Sequence, residues 1–311
     1  MKLKIGTRGS ALALAQANQV KELLERTRPG AQAELVVIKT SGDDFSAGRA
    51  ETEEEAALKG LFVKEIEEAL LEGRVDLAVH SAKDMETSLP EGLEIGAVLK
   101  REDPRDAAVL RGGGFLTTLP PGSRVGVSSL RRQSQLQRIR RDLELVPIRG
   151  NVDTRLKKLD AGECDALILA AAGLKRLGFA ERISEFLEPA RFLPAPGQGA
   201  LAVEVRKAGN EVADQVRALE DPGSRREVEA ERSLLKALGG NCQVPVGALA
   251  RVGDGDNLSL EGVVLSPDGL KAVRQSIAGP AKAAERLGKE LASHLRALGA
   301  DRLLYGTWKK A

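Results

Sequence analysis

The chain is short of the residues that staple or metallate small proteins: its 311 residues include two cysteines, Cys164 and Cys242, and two histidines. So few thiols exclude a disulfide framework, and with two histidines they leave no credible zinc cluster. A reducing, cytoplasmic setting fits that usage. Aromatic residues make up only 3%, which disfavours single-stranded nucleic acid, whose bases stack on flat side chains. Long apolar runs are missing as well. The longest, Ala166 to Ala172, falls far short of the roughly 20 residues that cross a bilayer. The N-terminus opens on the strand-like Leu3-Lys4-Ile5-Gly6 without an apolar signal core. A dominant charge sign is also lacking: Lys+Arg 47 against Asp+Glu 45 leaves +2, and the global balance points to no partner.

What is present is a well-supplied core, 42% hydrophobic and 30% charged, long enough for two or three domains. Charge is unevenly placed. Between Arg124 and Lys158 ten cations face Asp142, Glu144 and Asp153, a local excess that suits either a polyanion site or a solvated helix face. The first hundred residues alternate strand and helix patterns, as parallel sheets with crossover helices do. Leu3–Gly6, Glu34–Lys39 and Val75–Val79 read as strands, and Ser10 as the N-cap of an amphipathic helix. After the charged, proline-broken Arg101–Arg105 a second such unit follows, with strands Asp106–Leu110, Arg124–Val127, Leu143–Ile148 and Asp165–Leu169. It also holds a basic helix reaching Arg141 and a helix capped by Asn151. Gly197–Val205 reads as a strand returning to the first lobe. From Pro222 a helix (Ser224–Leu238), three alternating strands (Val246–Val252, Leu258–Leu265, Leu270–Ile277) and a last helix (Ala281–Leu298) make a small α+β domain.

Open parallel sheets bind ligands beyond the carboxyl ends of their strands. Arg8 and Ser10, Lys83 and Asp84, Ser128, Ser129, Arg131 and Arg132, and Arg149 and Asn151 all follow predicted strands, which predicts one cleft between two lobes. No turn matches a phosphate loop or dinucleotide fingerprint. Guanidinium forks bind carboxylates or phosphates. Asp84 suits the stabilisation of a cation formed during reaction, or equally a helix cap or ion-pair partner. Cys242, after Gly239-Gly240-Asn241, is either a nucleophilic thiol on a loop or a small buried hydrophobe; Cys164 reads as the latter. Two classes remain open on these grounds: an enzyme acting on an organic polyanion, and a two-lobed binding protein for small organic anions.

The ordered segments Gly6-Thr7-Arg8-Gly9-Ser10, His80-Ser81-Ala82-Lys83-Asp84, Ser128-Ser129-Leu130-Arg131-Arg132-Gln133, Arg149-Gly150-Asn151-Val152 with Thr154-Arg155-Leu156, Ala170 to Gly178, Pro196-Gly197-Gln198-Gly199 and Cys242-Gln243-Val244-Pro245 closely resemble the hydroxymethylbilane synthase (porphobilinogen deaminase) family along the whole chain. The resemblance implies two periplasmic-binding-protein-like, doubly wound α/β lobes plus a small C-terminal α+β domain with a three-stranded antiparallel sheet. The domains would be residues 1–99 with 198–219, residues 105–194, and residues 222–311. It implies a monomeric, cytoplasmic transferase that condenses four porphobilinogens onto a dipyrromethane cofactor joined by a thioether to Cys242, releasing ammonia. Further implied are cofactor contacts from Lys83, Asp84, Ser128, Ser129, Arg131 and Arg132. Substrate contacts would come from Arg8, Ser10, Arg149, Arg155, Arg176, Lys59, Phe62 and Gln198. Asp84 would stabilise the cation left when ammonia departs, and Ser41–Lys59 would form a lid. Asp153, Glu86 and Asn241 depart from the family pattern.

Overall fold

The computed structural model describes residues 2–27, 30, 32–40, 63–207, 211–240 and 244–305. It contains two compact units, Met1–Glu102 with Ala200–Arg225, and Asp103–Gly199 with Arg226–Ala311. The chain first runs through β1 (Lys2–Thr7), α1 (Ala11–Thr27), β2 (Gln32–Val37), α2 (Lys64–Leu71), β3 (Leu77–Ser81) and β4 (Leu93–Val98). The second unit follows with β5 (Asp106–Leu110), β6 (Arg124–Val127), α3 (Leu130–Ile139), β7 (Glu144–Pro147), α4 (Val152–Asp160), β8 (Ala166–Ala170), α5 (Ala171–Arg176) and β9 (Glu185–Leu187). Then come β10 (Leu201–Arg206), α6 (Glu211–Arg217), α7 (Pro222–Ala237), β11 (Val246–Val252), β12 (Asn257–Leu265), β13 (Ala272–Pro280), α8 (Ala284–Ala297) and α9 (Ala300–Tyr305).

The sheet of the first unit has the order β2-β1-β3-β10-β4. Strand β1 runs parallel to β2 and β3, and β10 runs antiparallel to β3 and β4. The larger sheet of the second unit, β7-β6-β8-β5-β9, repeats the pattern, with β6 parallel to β7 and β8 and β5 antiparallel to β8 and β9. The antiparallel strand comes last in sequence in one lobe and first in the other.

Both five-stranded sheets are covered on two faces, which is why an inner strand such as β8 reads as an unbroken apolar run. In the first unit Ala17, Val20 and Leu24 of α1 and Val212 and Val216 of α6 pack on Leu3, Ile5, Leu77 and Val203, while Ile66 and Leu70 of α2 pack with Val75, Ala78 and Leu93. In the second, Ala108 and Ile168 join Leu136 of α3. Their strand neighbours Ala107, Val109, Leu167 and Leu169 join Leu156 and Leu159 of α4. Cys164 lies fully buried in that second cluster, a small core hydrophobe, and burial pushes its thiol pKa up.

The third sheet, β11-β12-β13, is antiparallel throughout. Alternation splits its side chains: Val246, Ala248, Ala250, Leu258 and Leu260 pack against α7, α8 and α9, while Leu249, Val263 and Leu265 pack on Leu193. The β12–β13 turn sits on α3, where Ser134 Oγ donates to Pro267 O at 3.1 Å.

Several boundaries differ from the sequence reading. The basic helix stops at Ile139 instead of Arg141, because the Arg140 backbone leaves helical geometry (φ −147, ψ 80). The Arg140 guanidinium donates to the carbonyls of Leu116 and Leu119, both at 2.7 Å. The last predicted helix ends as expected just before Gly299 (φ +96), a backbone conformation that ends helices. It starts later, at Ala284 after a 3-10 turn over Ala281–Ala283, and the short α9 that follows Gly299 was not predicted. Strand β13 starts at Ala272 because Ser266 and Lys271 close a turn that leaves Leu270 exposed.

Candidate active site

In the first unit the polar residues gather where β1 and β3 end. Thr7 closes β1 and is buried, and Ser10 Oγ accepts from the Ala13 N–H at 3.3 Å, capping α1 as its sequence position suggested. Beyond β3 the chain makes a single 3-10 turn, Ala82–Asp84, tied back by the Ala82 N–H donating to Ala200 O at 3.0 Å. This geometry makes one pocket of Arg8, Ser10, Gln16, His80, Ser81 and Asp84 over an apolar floor of Val63, Ile66 and Val79. The Gln16 amide donates to Ser81 Oγ at 2.9 Å, and the Asp84 side chain is exposed at the mouth. Lys83 stands beside it on the same turn.

Beneath this pocket lies a buried acidic layer that composition did not reveal. His80 Nε2 is 3.0 Å from Glu204 Oε2, with the side chains 5% and 0% exposed. Glu67, also buried, has its pKa pushed up to about 7, chiefly by burial and then by repulsion from Glu204 and Glu86.

In the second unit the corresponding strand ends carry the arginines. Ser128 and Ser129 follow β6, and Ser129 occupies the N-cap of α3 without spending its hydroxyl on a cap bond. Arg131 and Arg132, in the first turn of α3, are buried around Asp106, the fully buried first residue of β5. Arg131 Nη1 donates to Asp106 Oδ2 at 2.7 Å and to Leu193 O at 2.7 Å. Arg132 reaches Asp106 Oδ1 from Nε at 2.9 Å and from Nη2 at 2.7 Å. Burial alone would raise the pKa of the Asp106 carboxyl, but the two guanidiniums hold it well below the usual carboxylate range. Arg155 on α4 donates to Gly150 O at 2.7 Å and to Ser128 Oγ at 3.0 Å. Its pKa is pushed down to about 10 by burial and then by the charge of Arg132. Arg149 follows β7 and is exposed. Asn151 takes the N-cap of α4, with no side-chain cap bond. Arg176 ends α5 and donates to Gly199 O at 2.7 Å.

Gln198 does not line an open surface. It is 1% exposed, and its amide donates to Pro104 O at 2.8 Å and Asp106 Oδ1 at 3.1 Å. Strand β10 begins at Leu201, not Gly197, because Gly197 (φ +76) and Gly199 (φ +90) form a turn around Gln198. Cys242, Lys59, Phe62 and the segment Ser41–Lys59 lie outside the described residues.

Sequence reading missed the buried acids Asp106, Glu67 and Glu204 that underlie these strand ends. For Asp106 a signal existed: a lone acid opening the apolar run Ala107-Ala108-Val109-Leu110 needs a buried cationic partner.

Residues 3–214 match the family model described as porphobilinogen deaminase, dipyromethane cofactor binding domain. Residues 225–297 match that of the porphobilinogen deaminase C-terminal domain. A porphobilinogen deaminase of Syntrophobacter fumaroxidans is 50% identical over 305 residues, 97% of this chain and 96% of its own. One of Thermus thermophilus is 48% identical over 301 residues, 96% of this chain and 97% of its own. Among solved structures, the methionine binding protein MetQ covers 70% of this chain and 89% of its own with a TM-score of 0.43 at 14% identity. Two family models in tandem and relatives at about half identity over nearly the full length place the chain in the porphobilinogen deaminase family.

Proposed function

We propose that the chain is a hydroxymethylbilane synthase: it joins four porphobilinogens head to tail on a dipyrromethane primer, releases one ammonia per addition, and frees linear hydroxymethylbilane by hydrolysis. The observation that carries this reading is the positive surplus at the strand ends of the second unit. Two buried guanidiniums surround the single carboxylate of Asp106, and Arg155 adds a third close by. In addition, Arg131 Nε is buried with no hydrogen-bond partner among the described residues. Such a rim fits a ligand bearing carboxylates, each charge-assisted bond contributing roughly 1.5–3 kcal/mol. The porphobilinogen-derived group fits that description.

Cys242 would hold the dipyrromethane by a thioether, with Lys83, Asp84, Ser128, Ser129, Arg131 and Arg132 gripping its acid arms and pyrrole N–H groups. When bound, that group supplies a nucleophilic pyrrole carbon and the anchor for the growing chain. Arg8, Ser10, Arg149, Arg155, Arg176, Lys59 and Phe62 would hold the carboxylates and ring of the incoming substrate. Asp84 would accept pyrrole N–H hydrogen bonds and place negative charge where positive charge develops as ammonia leaves, a preorganised electrostatic role. Gln198 enters through Asp106. The same reading divides the chain into domains of residues 1–99 with 198–219, 105–194 and 222–311, and makes the protein a cytoplasmic monomer. No helix of the described residues is long and apolar enough to cross a membrane.

The test is incubation of the purified chain with porphobilinogen, followed by intact mass and ammonia release. The expected result is a covalent dipyrrole that grows with substrate and is lost in Cys242→Ser. A chain that binds porphobilinogen yet releases no ammonia would instead be a binding protein.

A further inference from the structure

Asp106 stands at a junction of the second unit. It is the first residue of β5, directly after the segment by which the chain leaves the first unit, and it is fully buried. Its two oxygens accept from Arg131 and Arg132 of α3 and from the Gln198 amide, which belongs to the segment by which the chain returns. Gln198 also donates to Pro104 O at 2.8 Å. The returning segment is fixed a second time, since Leu193 O accepts from Arg131 Nη1 and from Gln135 Nε2, and the Leu193 N–H donates to Gln135 Oε1 at 2.7 Å. One carboxylate thus binds two chain crossings and two adjacent guanidiniums into a single cage.

Pure ion pairing does not account for this arrangement. Among the described residues one buried carboxylate serves both buried cations, and buried charge in excess of its partner is costly. It does fix where the remaining donors point, because a planar guanidinium held by one edge has its other edge oriented. From this geometry we infer that Asp106 is a positioning residue: locked by the Gln198 amide, it orients Arg131 and Arg132 so that their unspent donors meet the carboxylates of the covalent primer. The inference rests on the proposed role of these arginines, and its test separates the two.

The full-length chain, prepared without its primer from cells that make no porphobilinogen, is loaded by adding porphobilinogen, and the adduct is followed by intact mass. Arg132→Leu tests the arginine role itself; if it loads at the parent rate, the underlying assignment fails before Asp106 is considered. Given a slowed Arg132→Leu, Asp106→Asn is expected to load at least tenfold more slowly than the parent, with Asp106→Glu at least threefold faster than Asp106→Asn. Simple packing would give the reverse order, because Asn has the shape of Asp whereas Glu is larger. Parent-like loading by Asp106→Asn, or Asn outperforming Glu, overturns the inference. Should Asp106→Asn not fold by circular dichroism, Gln198→Met decides, since it keeps the charge and removes only the locking amide. A loss of threefold or more supports the inference, and loading within a factor of two of the parent overturns it.

Discussion

Two aspartates near strand ends have opposite environments. Asp84 sits exposed on a one-turn 3-10 segment at the mouth of a polar pocket, while Asp106 is sealed within a cage of guanidiniums and an amide. An exposed carboxylate is free to meet charge that appears only during reaction. Replacing Asp84 with Ala is therefore expected to lower kcat by about 10²–10³-fold, the usual loss for a preorganised electrostatic group, with KM within about threefold of the parent. Steady-state formation of product measures both, and parent-like turnover would end the assignment. Arg155 has a different part. Its Nε and Nη1 are spent on Gly150 O and Ser128 Oγ, which aims the rest of the fork. Arg155→Leu is expected to raise KM for porphobilinogen about tenfold or more, the equivalent of one charge-assisted bond. An unchanged KM would exclude Arg155 from substrate binding.

At the scale of elements, helix α2 carries a pH-sensitive load. Glu67 lies on its buried face, with a pKa of about 7 against the ordinary 4.5, and Glu204 of β10 repels it. A carboxyl whose folded pKa is raised favours the fold while protonated. Its contribution is complete below about pH 4.5 and is lost as pH climbs through about 7. Glu67→Gln is therefore expected to stabilise the chain relative to the parent by a margin that grows by about 2 kcal/mol between pH 5 and pH 8. Urea unfolding at the two values measures it, and a margin independent of pH would refute the buried-acid account. The elements themselves were readable to differing degrees. Strand β6 was found with its full range because Arg124 and Ser128 bracket a short buried run. Strand β4 was passed over: Gly96 interrupts its apolar run, and its partner β10 lies a hundred residues further along. Three-residue β9 is too short to show a period. Motif positions could be read because the carboxyl ends of strands concentrate polar residues. The cage around Asp106 could not, because Arg131, Gln198 and Leu193 meet only in three dimensions.

On the scale of the whole molecule, the β12–β13 turn fastens the third sheet to helix α3. Gly269 there has φ +69, and a Cβ would fall 2.3 Å from Ser134 O, against backbone that cannot swing aside. Gly269→Ala is expected to cost about 2–3 kcal/mol through positive-φ strain and overpacking, read as a melting temperature lower by several degrees. A melting temperature equal to that of the parent would mean that the turn is not clamped there.

Strand β10 occupies an inner place between β3 and β4, yet it emerges from the ribosome only after the entire second lobe. A nascent chain that has reached Glu102 therefore has a slot open in its sheet, with the facing edges of β3 and β4 unsatisfied. The lobe encoded first must be finished later than the one encoded after it, and a fragment ending at Glu102 has no route to a native sheet of its own.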